Sequence, residues 1–160
     1  MSDKRLARRA RLLRLVLNLY PPYLGAGIRV REISPDFRRA RVCMALRWYN
    51  RNYVRTQFGG SLYSMTDPFF MLMLMQLLGN DYIVWDKAAS IDFVNPGKGP
   101  VYADFRIDDA LLAQIRAKTA GGDKYLPELH VDIRDGAGSL VATVHKTLYV
   151  RLKPRARQVA

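Results

Sequence analysis

The sequence predicts a single α+β domain in which an antiparallel sheet wraps one long apolar helix, with an extra helix at the N-terminus. Three observations predict it. The segment Ser61 to Leu78 carries Leu62, Met65, Phe69, Phe70, Leu72, Met73, Leu74, Met75, Leu77 and Leu78 without a polar stripe, and a helix apolar all round belongs in an interior. On both sides of it apolar residues recur at every second position, the period of a half-buried strand. A chain of 160 residues, 49% hydrophobic and 11% aromatic, can also bury roughly 70% of its unfolded surface around one core.

The elements follow in order. Residues 4–19 place Leu6, Leu12, Leu13, Val16, Leu17 and Leu19 in a rough stripe among arginines, and Pro21-Pro22 ends the helix. Its basic start resembles a signal peptide, but Arg11 and Arg14 interrupt the apolar run and Tyr20-Pro21-Pro22 stands where a small-residue cleavage site would be. No stretch reaches the ~18 apolar residues that span a bilayer, so a soluble, cytoplasmic protein is expected. Ile28–Ser34 and Arg38–Trp48 form a hairpin across Ser34-Pro35-Asp36. Ala40, Val42, Met44, Leu46 and Trp48 share one face of it; Arg39, Arg41, Cys43 and Arg47 share the other. Residues 49–58 are a loop, Gly59-Gly60 opens the apolar helix and Gly79-Asn80 closes it. Tyr82–Val94 and Val101–Ile107 are strands around a Pro/Gly turn. Asp108–Lys118 is a short helix capped by Asp108 or Asp109. Leu126–Arg134 and Leu140–Leu152 pair through Asp135-Gly136-Ala137-Gly138. The organisation is a basic helix (1–25), one domain (26–153) and a basic tail (154–160).

Composition excludes several classes. The chain is too apolar for a disordered one. With one Cys and two His it can hold neither an internal disulfide nor a Cys/His zinc cluster, and no metal is expected. The net charge of +12 is concentrated: residues 1–55 hold 14 basic residues against 3 acidic ones, so +11 falls in the first third. Such a field attracts polyanions, whether nucleic acid, acidic lipid or a phosphate-bearing small molecule. No nucleic-acid motif accompanies it. A membrane-surface role for the basic helix is a further expectation, and packing against the sheet explains its leucines equally well.

The chemistry-bearing block is Asn52-Tyr53-Val54-Arg55-Thr56-Gln57-Phe58-Gly59-Gly60-Ser61, continuing to Asp67-Pro68. Two glycines at a helix mouth let a ligand approach bare amides at the positive end of the helix dipole, where an oxyanion is stabilised. Asp67 is the only acidic residue between Asp36 and Asp81 and lies in the most apolar part of the chain, where it reads as a buried base. Asp67-Pro68 is also the pattern of a helix start, with Asp as cap. If the helix instead begins near Gly60, Pro68 lies inside it and kinks it. The methionines read as core or as an adaptable acyl pocket. His130, His145 and Cys43 read as structural strand residues. Arg51 and Arg55, flanking the glycines, are candidates for phosphate contacts.

This block resembles the hotdog-fold thioesterases, particularly the phenylacetate-pathway type and its uncharacterised domain-of-unknown-function branch. That family's pattern is Asn, five residues, His-Gly-Gly, then an acidic residue nine after the His; here Asn52, Phe58-Gly59-Gly60 and Asp67 occupy it. Ile91-Asp92-Phe93-Val94-Asn95-Pro96-Gly97 resembles the family's strand-then-Pro-Gly segment, and the likeness covers about residues 28–152. It implies dimers or tetramers and acyl-coenzyme A thioester substrates, with coenzyme A as part of the substrate and no cofactor. It implies Asp67 as base or nucleophile, the Gly59 and Gly60 amides as oxyanion donors, and Asn52 orienting water or the Asp. Phe58, Ser61, Arg51 and Arg55 would contact substrate. The chain departs from the pattern at Phe58, where a phenyl ring cannot position water as imidazole can. The rival expectation is a binder of acyl-coenzyme A or fatty acyl chains without turnover, possible at a membrane surface.

Overall fold

The structure is a computed structural model that describes residues 3–154. Beyond Pro154 the basic tail lies outside the described residues. Helix α1 (Asp3–Leu19) runs into a short α2 (Pro21–Ala26), then strands β1 (Ile28–Ile33) and β2 (Arg39–Met44). Two helical segments follow, α3 (Gly59–Ser64) and α4 (Phe69–Leu78). The remainder is β3 (Tyr82–Phe93), β4 (Val101–Arg106), α5 (Asp109–Thr119), β5 (Lys124–Tyr125), β6 (Glu128–Asp135) and β7 (Leu140–Leu152). The strands make one antiparallel sheet in the order β1-β2-β4-β6-β7-β3, with β5 added to β7.

Alternation decides which face is covered. Ile28 and Val30, Ala40, Val42 and Met44, Val101, Ala103 and Phe105, and Val144, Leu148 and Val150 all turn inward and are buried. They close on Leu62, Met65, Phe69, Phe70, Met73, Leu74 and Leu78 of α3 and α4. Phe105 anchors the contact, its ring 4.9 Å from that of Phe69 and 5.1 Å from that of Phe70. Met65 and Met73 are core residues, whereas Met75 is exposed.

Two expectations are corrected. The long helix is two short ones: residues 65–68 are a turn, because Pro68 supplies no amide to continue the ladder. The helix does begin at the glycines, so the Pro68 interruption is the outcome foreseen for that start. The second strand stops at Met44, and Trp48 is 81% exposed rather than inward. Buried Asn50 turns the chain there: its side chain donates to the carbonyls of Ala26 (2.9 Å) and Ala45 (2.8 Å) and accepts from the Arg47 amide (2.7 Å). Pro21-Pro22 ends α1 as expected but also starts α2, where a proline in the first turn costs no hydrogen bond. Asp108 caps α5, accepting from the Leu111 amide at 2.8 Å.

Each end of the sheet is treated differently. At the β1 edge, Asn18 of α1 receives the Val30 amide (2.9 Å) and donates to the Val30 carbonyl (3.0 Å), while Arg14 donates to the Arg31 carbonyl at 3.1 Å. One side chain thereby meets the outward amide and carbonyl of Val30 that a neighbouring strand would otherwise pair. At the other end, among the described residues, β3 pairs only with β7 and leaves its outer edge open over 12 residues.

Candidate functional site

The loop before α3 is shaped by short-range bonds. The Asn52 side chain accepts from the Thr56 amide (2.9 Å) and donates to Thr56 Oγ1 (2.9 Å) and the Gln57 carbonyl (3.3 Å), closing a tight loop in which Arg55 takes φ +64°. Buried Gln57 pins that loop to the turn before β4, its amide donating to the Gly97 carbonyl and its side chain to that of Gly99. The chain is thus delivered to Phe58 in extended conformation, and α3 starts at Gly59. Among the described residues the amides of Gly59 and Gly60, at the first turn of α3, donate to no protein acceptor.

A side chain on either glycine would have to displace an aromatic ring. A Cβ on Gly59 would lie 2.9 Å from the Phe93 ring, and one on Gly60 would lie 2.6 Å from the Phe58 ring. Both rings are more than half exposed. Beside Gly59 opens a cavity of about 370 Å³, lined by Asn52, Gln57, Leu62, Phe93 and the Val94–Gly97 segment. Ser61 is buried in α3, and Arg51 and Arg55 point to solvent.

Asp67 sits at the other end of α3, in the break before α4. It is neither the buried base nor the cap: its side chain is 49% exposed, and Pro68, in the cap position of α4, makes no side-chain bond. Oδ1 accepts from the Tyr63 hydroxyl (2.9 Å) and from Lys146 Nζ (3.0 Å). Lys146 turns inward from β7, its side chain wholly buried, and also meets Asp86 Oδ2 of β3 at 3.2 Å. Its ammonium stands 5.4 Å from the centre of the Tyr63 ring. Burial pulls the Lys146 ammonium down, but the bonds and charges of Asp67 and Asp86 outweigh it and hold the group above its ordinary range. Burial pushes the Asp86 carboxyl up against the pull of Lys146. Burial and then the charge of Asp67 push up the phenol of Tyr23, whose hydroxyl is buried without a hydrogen-bond partner among the described residues.

The structure therefore brings Asn52, Phe58, Gly59, Gly60 and Ser61 to one end of α3 and Asp67 to the other. Asn52 spends its side-chain hydrogen bonds on its own loop rather than on Asp67. Sequence reasoning missed Tyr63, Asp86 and Lys146. The available signal was Lys146 at an inward position of a strand whose other inward residues, Ala142, Val144, Leu148 and Val150, are apolar. His130 and His145 face each other across β6 and β7, and His145 pairs with Asp92 at 3.2 Å, outside this cluster. No group of metal-ligating side chains occurs among the described residues.

A model of the family described as "Domain of unknown function (DUF4442)" matches residues 8–150. No curated protein matches the chain. Solved structures do. A protein of unknown function from Pseudomonas aeruginosa, described as a probable thioesterase, aligns with a TM-score of 0.77 at 19% identity, over 89% of this chain and 95% of its own. A thioesterase from Haemophilus influenzae aligns at 0.64 and 13%, over 88% and 89%. The PaaI protein of the phenylacetic acid degradation operon of E. coli aligns at 0.61 and 16%, over 95% and 97%. At these identities the likeness is one of fold, and that fold is the hotdog.

Proposed function

From the chain's membership of the DUF4442 family, matched over residues 8–150, we propose that it hydrolyses acyl-coenzyme A thioesters. The observation that carries this reading is that one chain holds both the unclaimed Gly59 and Gly60 amides and a carboxylate, Asp67, whose Oδ1 is fixed by two donors while, among the described residues, Oδ2 takes none. The amides would receive the oxygen of the polarised thioester carbonyl. Oδ2 would take a proton from water as that water attacks the carbonyl carbon; collapse of the tetrahedral intermediate expels the coenzyme A thiolate, to which the proton passes. Direct attack by the carboxylate, with hydrolysis of the resulting anhydride, is the covalent variant.

Asp67 and Gly59 stand at opposite ends of α3, with Asp67 outside the cavity beside Gly59. One thioester cannot bridge them along the helix, which supports a site completed by a second copy. The open β3 edge supports the same arrangement: Ala88, Ala89 and Ser90 expose small side chains there, and Trp85 and Phe93 are more than half exposed. Arg51 and Arg55, exposed beside the Gly-Gly entrance, would meet the phosphates of coenzyme A.

The test is thiol release from short, long and aromatic acyl-coenzyme A esters by wild type and Asp67→Asn. Turnover that falls by about 10²-fold or more in the variant is expected for loss of the base. Turnover unchanged by the substitution overturns the role of Asp67. A second reading rests on Phe58 and Phe93, whose rings cover both glycines: saturable binding of the esters without thiol release would make the protein an acyl-coenzyme A binder.

A further inference from the structure

Helix α1 has two apolar faces. Leu6, Ala10, Leu13 and Leu17 pack against the core. On the opposite side Leu12, Leu15, Val16 and Leu19 follow one another at the i, i+3, i+4, i+7 spacing of a helical stripe, each more than half exposed. Exposed Arg5 and Arg8 continue that side toward the N-terminus, with Arg11 on its flank. The stripe runs on through exposed Tyr20 and Leu24 of the next turn.

A groove of about 770 Å³ opens directly beside the stripe, between α1, α2 and the outer face of β1 and β2. Leu15 and Leu24 belong to both the stripe and the groove. Arg14, Arg29, Arg31 and Arg47 line it, and among the described residues no acidic side chain does. Arg14 spends one nitrogen on the Arg31 carbonyl and Arg31 bonds the Cys43 sulfur, but Arg29 and Arg47 meet no carboxylate among the described residues. Elsewhere on the sheet several arginines are matched: Arg39 and Arg41 share Asp104, and Arg134 pairs with Asp132. Here the charge is left open next to hydrocarbon.

We propose that this corner docks the protein on an anionic phospholipid surface, with lipid phosphates in the arginine groove and the leucine stripe lying among the outermost methylenes. The chemistry matches on both counts. Guanidinium groups hold phosphate oxygens by paired charged hydrogen bonds. A helix lying in the interface buries its apolar face about 5–10 Å deep while basic residues reach the headgroups. No described helix is long and apolar enough to cross a membrane, so the contact is peripheral. A soluble phosphate ligand would leave the leucine stripe without a purpose. A second copy of the chain would bring the same four arginines against themselves.

The experiment is co-sedimentation of the full chain with vesicles of phosphatidylcholine alone and of phosphatidylcholine with one quarter phosphatidylglycerol, at low and high salt. Binding to the anionic vesicles, weakened by salt and absent from the neutral ones, is expected. Arg29→Gln with Arg47→Gln should weaken it by about tenfold or more, since each basic residue near an acidic surface contributes about one kilocalorie. Leu15→Asn with Leu19→Asn should weaken it as well without changing salt sensitivity, and both variants should keep wild-type circular dichroism and thiol release. No binding, equal binding to neutral vesicles, or binding indifferent to both variants overturns the proposal. So does displacement from vesicles by millimolar free coenzyme A, which would assign the groove to a soluble phosphate. A leucine variant that changes oligomeric state while vesicles fail to bind would assign the stripe to a second copy. Thiol release in free solution is read separately, so the hydrolase reading stands or falls by itself.

Discussion

A lysine with none of its side chain in water keeps its charge only where anions replace the solvent it has lost, and Lys146 has two, at 3.0 and 3.2 Å. Removing it leaves Asp67 and Asp86 facing each other across the space it filled. Lys146→Met should therefore cost about 3 kcal/mol, the low end for a broken buried pair because Asp67 is half in water. Removing Asp86 as well (Lys146→Met with Asp86→Leu) should recover much of the loss; urea titrations of both variants decide this. The pH dependence has a definite sign. Lys146 is held above its ordinary 10.5, so its contribution to stability is complete below that value and is lost as pH rises through the higher folded one. Melting temperature against pH should fall more steeply for wild type than for Lys146→Met in that alkaline range. This trio was hidden from sequence reading because its members lie 79 and 60 positions apart (67 to 146, 86 to 146): the β3–β7 pairing brings Asp86 to Lys146, and the packing of the α3–α4 turn on the sheet brings Asp67. Asp67 itself was legible as an isolated acid in an apolar segment. Its burial was overestimated because the Pro68 break turns it outward.

At the scale of elements, the α3–α4 pair shows what patterning conveys. Ten apolar residues announced a central helix, and the glycines announced its start. The break at 65–68 followed from Pro68 only once that start was known. The strands were legible from alternation except where one side chain overruled it: Asn50 halts β2, and Leu46 and Trp48 keep an alternation that the backbone no longer obeys. The glycines themselves give a test. Gly59→Ala brings a methyl group into the Phe93 ring at 2.9 Å, and that ring is exposed enough to swing aside. Stability should change by less than about 1 kcal/mol, whereas thiol release should fall by up to ~10²-fold, because a displacement near 1 Å suffices for such losses. A Gly59→Ala protein of normal turnover would remove the amide from the reaction.

For the whole molecule, the charge distribution, the helix α1 and the two sheet edges belong to one question, which is what each surface meets. Composition located the charge but not its geometry, because the groove that gathers Arg14, Arg29, Arg31 and Arg47 exists only after α1 folds back on β1. The open β3 edge should pair with its counterpart in a second copy. Ala88→Lys with Ser90→Lys sets like charges along that edge and should shift the light-scattering mass from dimer to monomer, with thiol release lost in parallel if the site is shared. A wild-type mass of one chain would end that arrangement.

If copies pair through sheet edges, Asn18 sets how many edges each one offers. A sheet with two open edges is a monomer in the polymer sense: each copy offers two bonds, and growth has no reason to stop. By occupying both the amide and the carbonyl of Val30, Asn18 would leave each copy one edge, β3, for pairing with another. Particles of valence one terminate at pairs. Asn18→Ala should restore the second bond, and the sign would be a tail of higher masses in sedimentation velocity, growing with protein concentration, from a chain whose fold is otherwise unchanged.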